Sequence, residues 1–77
     1  MDREILEKHL ALAELHVAKG ELLIVRQREL TAKLLGDGHE VVAASATSLL
    51  RLFEETQKVF VADRDRIKKE LSEQISN

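Results

Sequence analysis

Apolar residues recur at intervals of three and four along the first half of the chain: Leu6, Leu10, Ala13 and Val17, then Ile24, Leu30 and Leu34, with Gly20 and Gln27 falling in the same stripe. That spacing is the signature of one buried face of an α-helix. Between Asp2 and Leu35 only Gly20 interrupts good helix-forming residues, so the pattern predicts a helix over about residues 2–35. Asp2 is placed to cap it, and Glu4 favours the positive end of its dipole. The second half shows the same spacing at Val42, Ala46, Leu49, Phe53, Thr56, Phe60, Ile67 and Leu71, which predicts a second helix over about residues 40–75. Opposite charges four residues apart (Glu4–Lys8, Glu29–Lys33, Glu54–Lys58 and Asp65–Lys69) support both.

"GDGHE", residues 36 to 40, is the turn signal, with the turn itself at 36–39. Two readings of it stay open. Asp37 can cap the second helix with Glu40 completing a capping box, or Gly38 can close the first helix and the second can start near Glu40. "AASATS", residues 43 to 48, is the weak point of the second helix, because Ser45, Thr47 and Ser48 are able to cap a later start. A continuous helix is favoured, since the apolar stripe passes through Ala46.

So short a turn makes the two helices antiparallel neighbours. The expected fold is all-α, one helical-hairpin domain over residues 1–77. A bend near residue 38 brings Leu6 opposite Leu71, Leu10 opposite Ile67, Val17 opposite Phe60 and Ile24 opposite Phe53. Gly20 then falls opposite Thr56, between the two phenyl rings, where the missing side chain lets a ring or a backbone come close. Gln27 lies on the core stripe, and a buried amide there must find partners. The expected core comprises Leu6, Leu10, Val17, Gly20, Ile24, Gln27, Leu49, Phe53, Thr56, Phe60, Ile67 and Leu71.

Two helices enclose only a seam, yet the first is apolar beyond it. Leu15, Ala18, Leu22 and Val25 form a second stripe, with Leu12 and Leu23 on a flank, and the second helix adds Leu52, Val59 and Val61. A helix that is apolar nearly all round is buried on several sides. The expectation is a homodimer of hairpins forming a coiled-coil-like four-helix bundle, with Leu15, Ala18, Leu22 and Val25 at the oligomer interface.

Composition narrows the chemistry. A chain of 77 residues needs a staple or a partner, and the absence of Cys removes disulfides and thiolate metal sites. The formal charge is −2, with acids mixed into both basic clusters, "RQRE" at 26–29 and "DRDRIKKE" at 63–70, and no aromatic in either. This is a solvated, ion-paired helix face, not a nucleic-acid footprint. No apolar run approaches the ~20 residues of a spanning helix, and the start of the chain has no signal-peptide layout. A soluble, cytoplasmic protein with no nucleic-acid or membrane partner is expected.

His9 and His16 project from one side of the first helix, His16 near Phe60 and Asp63 and His9 near Arg66 and Ile67, and His9, His16 and Asp63 are the candidate metal ligands. The histidines are two turns apart, about 10 Å, too far for both to hold one ion unaided. No HExxH or ExxH motif is present, so the expectation is edge-of-interface histidines with a carboxylate neighbour and no metal or cofactor. His39 reads as an exposed turn residue. No nucleophile with its base and no phosphate-cradling loop occurs, and no catalytic residue is assigned.

"HVAKGELLIVRQREL", "DGH" and "FEETQKVFVADRDRIKKEL" together resemble a group of small bacterial helical-hairpin proteins with no established activity. The matching positions are His16, Val17, Gly20, Glu21, Arg26 to Arg28, Asp37 to His39, Phe53 to Gln57 and Asp63 to Arg66, within a stretch from about residue 9 to 71. The chain departs from the pattern in "VVAASATS" at 41–48 and at Phe60, where His is common in the group. The resemblance implies a helical hairpin and no activity. The expected function is therefore non-enzymatic, a homo-oligomeric scaffold or regulator acting through protein–protein contact. The alternative is a bundle that binds a ligand or metal near His16, Gly20 and Phe60.

Overall fold

The structure of the chain, a computed structural model, describes residues 2–75, and of residue 75 the backbone alone. It is a hairpin of two long helices, α1 (Arg3–Gly36) and α2 (Glu40–Ile75). Asp2 caps α1, its Oδ1 accepting the Glu4 N–H at 3.1 Å. At the other end the His39 N–H donates to the Leu34 carbonyl at 2.9 Å, and the Gly38 N–H to the Leu35 carbonyl at 3.2 Å. These two bonds form a Schellman motif, and Gly38 supplies the left-handed residue it needs, at φ +79°. The Ala43 N–H then donates to the His39 carbonyl at 2.8 Å, so α2 begins at once. Of the two readings of the turn, closure of α1 by Gly38 is the one adopted.

The "AASATS" segment is helical throughout. Its hydroxyls turn back onto the helix instead of capping a new one. Thr47 Oγ1 donates to the Ala43 carbonyl at 2.9 Å, and Ser48 Oγ to the Ala44 carbonyl at 3.2 Å. Each hydroxyl is thereby satisfied within the preceding turn, and nothing local favours a break.

The helices pack along a seam of strictly alternating three- and four-residue steps, the heptad spacing of a coiled coil. In α1 it runs Leu6, Leu10, Ala13, Val17, Gly20, Ile24, Gln27, Thr31 and Leu34; in α2 it runs Ala43, Ala46, Leu50, Phe53, Gln57, Phe60, Arg64, Ile67 and Leu71. All of these are buried or half-buried. Leu6, Leu10, Ala13, Ile67 and Leu71 pack together at the open end. Toward the turn the seam is small, with Thr31, Ala43 and Ala46 buried.

In α2 the seam lies one residue away from several positions of the expected stripe. Ala43, Leu50 and Gln57 occupy it, while Val42, Leu49 and Thr56 are exposed beside it. In α1, Thr31 is buried and Leu30 is exposed. The physical reason is the phase of the heptad: the alternation fixed by Ile67 and Leu71 runs back through Arg64 and Gln57 and so passes one residue beside the expected positions 42, 49 and 56. Nearest the turn the seam also takes the smaller residue of each pair, Ala43 over Val42 and Thr31 over Leu30. The resulting molecule is a rod of 58 × 15 × 14 Å with a radius of gyration of 17.3 Å. A compact domain of this length would have about 11–12 Å.

Candidate functional site: the polar clamps, the histidine flank and the exposed apolar face

Two glutamines cross the seam in opposite directions. Gln27 of α1 donates from Nε2 to the Ala46 carbonyl of α2 at 3.0 Å. Gln57 of α2 donates from Nε2 to the Val17 carbonyl of α1 at 2.9 Å. Both bonds end on backbone, which requires the partner helix to lie close. Gly20 makes the second possible: a Cβ there would overlap Gln57 Oε1 and lie 2.9 Å from its Cδ. Gly20 therefore faces Gln57, not Thr56, which is exposed at the rim of a hollow of about 40 Å³ between Gly20, Leu23, Phe53 and Phe60. The Gln57 Oε1 atom is buried without a hydrogen-bond partner among the described residues.

The two flanks of the seam differ in chemistry. On one, Arg28 Nη2 and Glu54 Oε2 pair across the helices at 3.2 Å, beside an open groove that also takes in Lys58 and Asp65. On the other flank lie His9 and His16 at the open end, then Leu23 and Leu30 toward the turn, facing Asp63, Thr56 and Leu49 of α2. His16 packs on Phe60, with ring centroids 5.1 Å apart and planes inclined at 33°. His9, His16, Leu12, Asp63 and Arg66 line a shallow hollow of about 130 Å³ whose floor is Ala13 and Ile67.

The carboxylates of this hollow are already engaged. Arg66 Nη2 pairs with Asp63 Oδ1 at 2.6 Å, and Arg66 Nη1 with Glu70 Oε1 at 2.9 Å. Hydrogen bonds that the Arg66 guanidinium donates to Asp63, then to Glu70, raise it above the usual arginine range. The structure brings His9, His16 and Asp63 to one hollow as their spacing suggested. Among the described residues, however, no three His, Asp or Glu side chains are grouped to hold a metal ion. Arg64 is a seam residue missed by apolar periodicity. It is half-buried opposite Ala13 and paired with Asp65 at 3.0 Å. The signal that finds Arg64 and Gln57 is the strict three–four alternation itself, continued through polar residues.

Much of the apolar surface is left uncovered. Leu12, Leu23, Leu30, Leu49, Leu52 and Val59 lie exposed on the histidine flank and its outer edge, with Leu52 at 60 % and Val59 at 66 % exposure. Leu15, Leu22 and Val25, with Ala18, are exposed along the back of α1. The surface totals 5695 Å². A compact monomer of 8.7 kDa would expose roughly 4,700 Å². No helix among the described residues is long and apolar enough to cross a membrane. No family model, curated protein or solved structure matches the chain.

Proposed function

We propose that this chain is a non-enzymatic helical protein that works by association: a homodimer of hairpins, paired as a four-helix bundle, serving as a cytoplasmic scaffold or small regulator. The uncovered apolar surface carries the reading. The rod exposes roughly 1,000 Å² more total surface, polar and apolar together, than a compact chain of this mass, and a standard interface removes about 800 Å² from each partner. Surface of that extent on so small a core costs stability until something covers it. Sedimentation equilibrium at tens of micromolar tests this reading. The expected mass is twice 8.7 kDa; a monomer with its helix content intact overturns it.

The contact of His16 with Phe60 beside a hollow favours a second reading, a bundle that takes a small ligand or metal near His16, Gly20 and Phe60. Elemental analysis of purified protein and a thermal shift against divalent metals separate the two. No bound metal and no shift support the first, and stoichiometric metal supports the second.

A further inference from the structure

The following rests on the reading that the protein self-associates. We infer that the second copy lies on the flank bearing Leu23, Leu30, Leu49 and Leu52, along its full length and with its turn at the same end as the first. A helix that packs against one partner needs only the alternating seam positions to be apolar; a helix in a four-helix bundle needs a third row beside them. This hairpin has that third row on one flank only. On the opposite flank the corresponding row is mostly charged, with Arg28 and Glu54 paired across it beside an open groove. The back stripe of Leu15 and Leu22 belongs to α1 alone and is bounded by Lys8 and Glu29 one turn-pair away on the same line. A copy docked there would touch one helix, whereas the leucine flank offers both.

The size of the flank selects a second copy of this chain as its occupant. Its exposed leucines and valine present an apolar patch on the order of 500 Å², in the upper part of the roughly 300–600 Å² that the largest patch of a monomer spans and large for a chain this small. The whole rod measures 58 Å by 15 Å, so a second copy laid along its full length covers on the order of the 800 Å² per partner of a standard interface. An isologous pair uses one patch twice, and so needs no second complementary surface.

The distribution of residues along that flank fixes the orientation. Toward the turn its large exposed residues are Leu23, Leu30, Leu49 and Leu52; toward the open end Leu12 and Val59 are interspersed with His9, His16, Asp63, Arg66 and Glu70. Turns side by side, apolar half meets apolar half and the histidine hollows lie at one end. With the copies reversed and fully overlapped, leucines would cover the Asp63–Arg66–Glu70 ion pairs and strip their water. Reversed and slipped so that only the apolar halves meet, the pair would overlap over about half the rod, roughly 450 Å² per copy, well short of a standard interface.

The chain has no cysteine, so a single introduced thiol can carry a unique spin label. Ser45 and Glu73 are exposed on the edge of this flank, near the turn and near the open end. Labels at Ser45→Cys and, separately, Glu73→Cys should each give inter-copy distances of roughly 20–35 Å, about two helix diameters plus label. Sedimentation of the same samples, with Leu49→Glu and Leu22→Glu beside them, completes the test. Leu49→Glu should weaken the dimer by about tenfold or more, with helix content lost together with the dimer on dilution, and Leu22→Glu should stay close to wild type. A monomeric parent overturns self-association itself. A dimer with Glu73 labels beyond about 50 Å overturns the orientation alone. A dimer broken by Leu22→Glu and indifferent to Leu49→Glu overturns the choice of face.

Discussion

At Gly20 the backbone of α1 meets the end of the Gln57 side chain, and two effects of similar size oppose each other there. Alanine in place of glycine favours a helix by about 0.8–1 kcal/mol. The added Cβ must push the Gln57 amide away, at the cost of its hydrogen bond to the Val17 carbonyl, worth about 1 kcal/mol. Gly20→Ala should therefore leave stability within about 0.5 kcal/mol of wild type or lower it. In a Gln57→Ala background the same change should stabilise by close to the full propensity gain, so the cycle should show a coupling near 1 kcal/mol. Urea melts at fixed protein concentration measure it; equal gains in both backgrounds would refute the contact. Gly20→Leu should cost roughly 1–3 kcal/mol, the usual range for overpacking. That Gly20 marks a close approach was legible in the sequence, because a glycine within an apolar stripe has few other uses. Its partner was not: Thr56 looks the better core residue, and only the heptad count selects the polar Gln57. Gln27 was legible as a buried amide needing a partner, but the carbonyl that satisfies it lies on the other helix and depends on register.

The helices and their ends were the most legible features, because capping chemistry is local. Asp2 two residues before Glu4 and Gly38 after "LLGD" announce their roles through rules that need no tertiary contact. The two glycines of the turn can be told apart by substitution. Gly36 is the last helical residue with nothing within 4 Å of a built Cβ, whereas Gly38 has φ +79°. Gly36→Ala should stabilise by about 0.5–1 kcal/mol, and Gly38→Ala should cost about 1–2 kcal/mol, the strain of a side chain in the left-handed region. Denaturant midpoints of the two variants at equal concentration should move in opposite directions; a shift of both the same way would contradict the Schellman closure. The face of α2 was read less well than its ends. Apolarity drew the stripe through Val42, Leu49 and Thr56, and the seam passes through Ala43, Leu50 and Gln57 instead. Phase explains the difference: Ile67 and Leu71 fix the three–four alternation at the open end, and carried back through Arg64 and Gln57 it selects Leu50 and Ala43, whatever their apolarity.

For the whole molecule, the seam alone is a narrow core. Among the described residues its fully buried apolar members run from Leu6, Ala13 and Ile24 to Ala43, Ala46, Ile67 and Leu71, and three of these are alanines. Larger apolar side chains outnumber them on the surface, from Leu12 and Leu23 to Leu52 and Val59. On the proposed pairing, a rod of this shape without disulfides would gain much of its stability from the surface that the second copy covers. The central claim is that folding and pairing are one event, which makes stability a function of concentration. The direct measurement is the urea midpoint, followed by helix content, from about one to a hundred micromolar protein. The midpoint should rise steadily, with each tenfold step in concentration adding about 1.4 kcal/mol to the apparent stability per dimer. A midpoint that stays fixed across that range would mean that the hairpin folds alone and that its leucine flank contributes nothing to its stability.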